Sequence, residues 1–343
     1  TIDGAKIMPL PEAGPSIARF RLVNDTVELD EVIRLRAPDG TPLSGLAPPS
    51  LPGMEFEPVF TLDGAALSPA YDGVDTEGIA ARADGRFWIA DEYGPSLLLV
   101  GPDGVVAQRL VPEGASQMFS GSSIPTEERL PAIGLARKLN RGFEALSLSC
   151  DNETLFVALQ SPLAHPDRHA HDNGDIVRIW ALDPSTGEFR AEYVYPLDDP
   201  QAFVRDCEAG SVTKSDVKVS ELVSLPDGSL LVLERVTLST HIYRVRPESA
   251  LAAPTCFLDP EHRPTLEQIG QAGAKAANIP LLSKQLVVST DDHPEICGDL
   301  EGMIVLDDDS MLLANDSDYG IEGAVTQFWR ISLSEAARQQ ANP

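Results

Sequence analysis

The chain is short of basic residues, aromatics and cysteine, and each shortage removes a class of function. Lysine and arginine number 26 against 53 aspartates and glutamates, for a formal net charge of −27. Such a surface repels nucleic acid and anionic membrane, because both need a basic patch. A polyanionic substrate is repelled too, unless bound cations or clustered Arg and Lys reverse the field locally. No apolar run reaches the roughly eighteen residues that a membrane-crossing helix needs. The four cysteines, Cys150, Cys207, Cys256 and Cys297, are too far apart for a CxxC metal or redox pair. A serine α/β-hydrolase is disfavoured by the lack of a GxSxG elbow. There is no GxxxxGK phosphate loop either.

What is present points to β-structure. Aromatics are only 6%, but the hydrophobic fraction of 43% suffices for a core, and Gly (26) and Pro (28) are plentiful. That mixture predicts many short strands joined by tight turns. The chain starts Thr1-Ile2-Asp3, which fits removal of an export signal. Periplasmic or secreted localisation is therefore expected, as is one disulfide among Cys207, Cys256 and Cys297.

Four segments share one order: acid, apolar run, turn, apolar run, polar or acidic residue. The first runs from Glu77 through Ala83-Asp84-Gly85-Arg86 to Asp91-Glu92. The second runs from Glu144 past Asp151-Asn152 to Gln160, and the third from Glu221 past Pro226-Asp227-Gly228 to Glu234-Arg235. The fourth runs from Glu301 past Asp307-Asp308-Asp309 to Asn315-Asp316. Asp-Gly and Asp-Asn supply the turn conformations a strand reversal needs, so each segment reads as a β-hairpin. Near-continuous apolar strands imply cover on both faces. Further strands are expected at 97–100, 177–181, 240–245 and 327–331, with outer strands after Pro102-Asp103-Gly104 and Asp183–Gly187. About four strands per unit at this spacing describe a propeller blade.

The fold expectation is an all-β, six-bladed β-propeller forming one domain over residues 1–343, with five or seven blades open. Segments 18–23, 28–35, 58–62 and 280–288 would complete the remaining blades. A short helix is expected near 265–277, opened by Pro264-Thr265. A β-sandwich or a two-domain β protein is the alternative.

In a propeller, residues at one phase of successive inner strands meet at the channel. Here that phase holds Glu77, Glu144, Glu221 and Glu301, and the returning strands bring Glu92, Gln160, Glu234 and Asp316. Crowded carboxylates repel one another and are costly to desolvate, and bound cations remove that cost. An all-oxygen donor set suits a hard cation. Calcium accepts six to eight oxygens in loose geometry and fits better than magnesium. The metal candidates are Glu77, Glu92, Glu144, Glu221, Glu234, Glu301 and Asp316. Three of the six histidines fall in 165–172, where His169 and His171 would meet a transition metal only if an exposed loop folded back.

Asp75-Thr76-Glu77-Gly78-Ile79, Phe87–Pro95, Asn140-Arg141-Gly142-Phe143-Glu144-Ala145-Leu146, Leu231–Arg235 and Leu300-Glu301-Gly302-Met303 resemble the phytase-like family, "esterase-like activity of phytase", over roughly 55–332. The resemblance implies an exported bacterial propeller with acidic metal sites and suggests phosphoric-ester hydrolysis. On that expectation calcium polarises a phosphoryl oxygen and acidifies a water. Glu77 or Glu144 serves as general base. Arg141 and Arg235 bind the phosphate, with Lys138 and Arg178 as further candidates. The motif region is poor in basic residues for phytate itself, which leaves smaller phosphomonoesters and diesters. The expected partner is a small-molecule ester, and the protein is expected to be a monomer. Two other functions stay open: a calcium-dependent lactonase or arylesterase, for which Asn140 and Asn315 speak, and a non-catalytic binding propeller with structural metal. Fold alone does not separate the three.

Overall fold

The first three turn motifs each reverse the chain between two paired strands. At the third, Gly228 adopts φ 81°, which a residue with a β-carbon rarely takes. Asp227 Oδ1 there accepts from the Ser229 N–H at 3.1 Å and its hydroxyl at 2.6 Å. In the second, Asn152 takes the left-handed conformation (φ 61°). The computed structural model describes residues 6–332, apart from 12, 25, 53, 56, 57, 308, 309, 318, 319, 321 and 322. Most of the fourth turn, Asp308-Asp309, thus lies outside the described residues.

The chain divides into two compact units, one running to Phe143 with Thr186–Phe189, the other comprising Glu144–Ser185 and the chain from Arg190. In the first unit, Thr76–Ala81, Phe87–Asp91, Ser96–Val100 and Val106–Pro112 pair antiparallel in sequence order. Thr126–Leu130 then adds in parallel to Val106–Pro112. In the second, Phe143–Leu148, Leu155–Leu159, Ile176–Leu182 and Phe189–Pro196 form one four-stranded sheet. Lys218–Ser224, Leu230–Arg235, Thr240–Val245 and Gln285–Ser289 form another, and Leu300–Asp307, Ser310–Asn315 and Phe328–Ser332 a three-stranded one.

Strands Ser96–Val100, Leu155–Leu159 and Ile176–Leu182 are buried at every position, and apart from Ser96 and Arg178 their residues are apolar. In the second unit the third and fourth hairpins share a core of Leu231, Leu233, Ile242, Leu300, Met311 and Leu313. Each such side chain contributes about 1.5–3 kcal/mol on burial. In the first unit Leu35, Val74, Ile89, Leu98 and Val100 cluster likewise.

Several expectations need correction. Ser16–Val23 and Thr26–Arg34 are not blade strands but a separate two-stranded ribbon, with Phe20, Leu22, Leu29 and Val32 exposed. Val59–Phe60 belongs to a small three-stranded sheet with Lys6–Ile7 and Ala66–Leu67. Gln285–Ser289 does not open another blade. It closes the third hairpin's sheet after an insertion that carries the helix Leu266–Ala276. That helix matches its sequence signal, with Thr265 and Gln268 forming a reciprocal capping box. Among the described residues three sheets have four or more strands, so six four-stranded blades are not observed.

No disulfide joins the cysteines; all four are free. Cys207 donates to the Pro200 carbonyl, and the Cys297 sulfur accepts from the Trp329 indole at 3.3 Å. The histidine segment is not an open loop. Arg168–Asn173 is a short helix capped by Asp167, and His171 is buried with Nδ1 2.6 Å from the Pro162 carbonyl.

Candidate functional site

Three of the motif glutamates sit at or beside a slip in their ladder. The pairing of Thr76–Ala81 with its neighbour shifts between Thr76 and Ile79, at Glu77. A slip between Val219 and Glu221 frees Ser220 beside Glu221, and one between Leu300 and Gly302 falls at Glu301. A β-bulge re-aims the extra side chain, and bulges concentrate beside functional sites.

In the first unit the bulge gathers Asp75, Glu77 and Glu92, with one carboxylate oxygen of each within 4.8 Å of the others. Oxygens sharing one calcium at 2.3–2.6 Å lie no more than about 5 Å apart, so the spacing and the all-oxygen set fit that ion. Lys6 lies against the group, paired with Asp75, 3.3 Å from Asn140 Oδ1 and 4.6 Å from the centre of the Tyr93 ring. Burial works against its charge, but the Asp75 carboxylate outweighs this and the Lys6 pKa is raised. Three carboxylates against one ammonium leave the cluster negative. The loop carrying Lys138 and Arg141 packs on the same place. Arg137 donates to the Tyr93 carbonyl, and a β-carbon on Gly142 would fall 2.0 Å from the Glu92 carbonyl oxygen. Lys138 and Arg141 are half-buried on that loop.

In the second unit Glu144 and Glu301 bring carboxylate oxygens within 4.8 Å. Glu221 is not part of that close group but lies near enough to feel the Glu144 charge. Burial, reinforced by the Glu144 charge, pushes its carboxyl well above the usual range, although the Leu222 N–H donates to it at 2.8 Å. Asp316 is tethered nearby, its N–H donating to the Asp299 carbonyl at 3.0 Å.

Arg235 is almost wholly buried, and its guanidinium is taken up by the protein. Nε donates to Ser220 at 3.0 Å, Nη1 to the Val236 carbonyl and to Asp299 at 2.8 and 2.9 Å, and Nη2 pairs with Glu301. It braces the acids and has no fork left for a phosphate, which corrects its expected role. Ser220 passes the contact on to Glu144 at 3.4 Å.

Two more candidates are reassigned. Glu234 precedes Arg235 on a strand, so the two point to opposite faces. Glu234 is buried elsewhere, accepting from Tyr195 at 2.6 Å, the Asp198 N–H at 2.6 Å and Lys284 at 2.8 Å. With those donors in place it is not a ligand of the Glu144–Glu301 group. Arg178 is 1% exposed and is gripped by Glu267 at 2.7 Å and Glu192 at 2.9 Å, so no substrate reaches it. Gln160 is also buried.

The sequence reading missed Asp75, Asp299 and Lys6. A signal existed for the first two: Asp75-Thr76-Glu77-Gly78 and Asp299-Leu300-Glu301-Gly302 repeat one D-x-E-G pattern. Nothing local marks Lys6, which reaches Asp75 across 69 positions. Asn315 holds backbone instead of facing the acids. It accepts from the Gln327 N–H at 2.6 Å and donates to the Asp316 carbonyl at 2.7 Å.

The family described as "Phytase-like: Esterase-like activity of phytase" matches residues 13–319, starting earlier and ending sooner than the motifs alone suggested. An uncharacterized secreted protein of Arthroderma benhamiae is 30% identical over 262 residues, or 68% of this chain and 49% of its own length. The chain therefore spans about half of that relative. A protein of unknown function from Bacteroides caccae aligns over 78% of this chain and 65% of its own, with 11% identity and TM-score 0.35. The PQQ-bound aldose sugar dehydrogenase of Streptomyces coelicolor aligns over 87% and 86%, with 12% identity and TM-score 0.34. Both scores are too low to define the fold of this chain.

Proposed function

Because the chain belongs to the phytase-like family, we propose that it is an exported, calcium-dependent hydrolase of small phosphoric esters built on a β-propeller. The observation that carries this is the Asp75–Glu77–Glu92 group, three carboxylates within 4.8 Å on a re-aimed strand and the turn beside it. The secreted relative supports export.

Asp75, Glu77 and Glu92 would hold the ion. Bound calcium supplies Lewis acidity toward an ester oxygen and toward a water. Arg141, on the loop packed against Glu92, would orient the substrate's anion. Glu221 and Glu144 form a second pair with split tasks. Burial and the Glu144 charge raise the Glu221 carboxyl well above the usual range, which suits it to an acid role, while Glu144 accepts from Ser220. The lactonase reading loses support because the Asn315 amide is tied to backbone.

The test is hydrolysis of p-nitrophenyl phosphate, bis-p-nitrophenyl phosphate, phytate and a simple lactone, each with calcium and with chelator. Calcium-dependent cleavage of one of the first two, lowered at least tenfold in Glu77→Gln, is expected. Cleavage of the lactone alone would sink the phosphoric-ester reading. No turnover at all, with a chelator-induced fall in Tm, would point to structural metal.

A further inference from the structure

We propose that Asp91, backed by the buried guanidinium of Arg109, is the positioning residue that sets Asp75 and Glu92 at cation-binding spacing; this rests on the calcium reading above. Asp91 ends the strand Phe87–Asp91, and its carboxylate is wholly enclosed. Oδ1 accepts from the backbone N–H of Asp75 at 2.9 Å and of Tyr93 at 3.2 Å, while Oδ2 accepts from the Ser96 hydroxyl at 2.6 Å. The Glu92 N–H in turn donates to the Asp75 carbonyl at 2.9 Å. Asp75 is thus fixed through its own amide, and Glu92 through the residues on either side of it. The acid next to Glu92 faces inward and ties the backbone, which leaves Glu92 to serve as ligand.

Burial raises the Asp91 carboxyl, and the charge of Arg109 acts the other way. Arg109 is fully buried, lies 4.0 Å from the centre of the Phe119 ring, and donates weakly from Nη1 to the Tyr71 carbonyl at 3.4 Å. Among the described residues its Nε and Nη2 have no hydrogen-bond partner, and it makes no direct ion pair with Asp91. The second acid in reach, Asp72, is engaged by the Ser122 hydroxyl.

Two measurements on the full chain test this. Hydrogen exchange at the Asp75 and Tyr93 amides is followed in chelator, and terbium, a luminescent calcium-sized ion, is titrated separately. In Asp91→Asn both amides are expected to exchange at least tenfold faster, and the terbium Kd to rise at least tenfold. Arg109→Met is expected to shift both the same way. Ser96→Ala removes one donor and keeps the test open should Asp91→Asn fail to fold. Unchanged exchange, or faster exchange with unchanged terbium affinity, overturns the proposal. A parent chain that takes up no terbium sinks the calcium reading itself, and the exchange arm still reports separately on whether Asp91 holds the loop.

Discussion

Arg178 shows how a side chain's type can mislead when its face is unknown. A basic residue in an acidic chain suggests anion binding, yet Arg178 lies inside the second unit between Glu192 and Glu267. Removing one partner from such a group strands the others, typically at about 3–5 kcal/mol. Arg178→Met is expected to lower stability by that order, measured by chemical denaturation, with hydrolysis per folded molecule unchanged. A phosphate-binding Arg178 would instead raise KM and leave stability alone. The phase of Glu77, Glu221 and Glu301 was legible because a repeated pattern reports strand position. The divergence of Glu234 from Arg235 follows from strand alternation and was legible in principle. The enclosure of Arg178 was not, because Glu267 comes from an insertion 89 positions away.

The third hairpin's sheet holds an ionic network that no single element contains. Lys284 reaches Asp198 at 2.6 Å and Glu234 at 2.8 Å, while His241 lies 3.1 Å from Asp198 and 3.4 Å from Asp291. Phe203 stacks on the imidazole with centroids 4.6 Å apart. Burial opposes a charge on His241, but the two carboxylates outweigh it and raise its pKa. For Asp198 burial is likewise overcome, by His241, Lys284 and Tyr243, and its carboxyl is held down to about 2. The raised histidine stabilises fully below its unfolded value of about 6.5, and that contribution fades as pH climbs through the folded value. The depressed Asp198 contributes above about 4 and loses its effect as pH falls toward 2. His241→Gln is therefore expected to cost on the order of 1–3 kcal/mol near pH 5, and less with each step above neutrality. Thermal melts across pH 4–9 check this. Hairpins and the capped helix were readable because turns and caps use local chemistry. This network was not, since its members come from four separate stretches of chain.

For the molecule as a whole, the β-class and the four hairpins were legible, and the number of blades was not. The ribbon Ser16–Val23 and Thr26–Arg34 looked like blade strands by composition. Its alternating Ile17, Arg19, Phe20 and Arg21 nevertheless differ from the unbroken apolar runs of the buried strands. The disulfide expected among Cys207, Cys256 and Cys297 does not form. Denatured, unreduced protein is expected to titrate four thiols per chain with a disulfide reagent, whereas two would reveal a bridge. The insertion between Thr240–Val245 and Gln285–Ser289 also bears on how the chain is made. A ribosome that has released Val245 must add roughly forty more residues before the last strand of that sheet can arrive. Through this interval the outermost strand offers bare amides and carbonyls to any neighbouring nascent chain. Biosynthesis thus has one exposed stage, and a stall or a protease cut there would leave a sticky fragment.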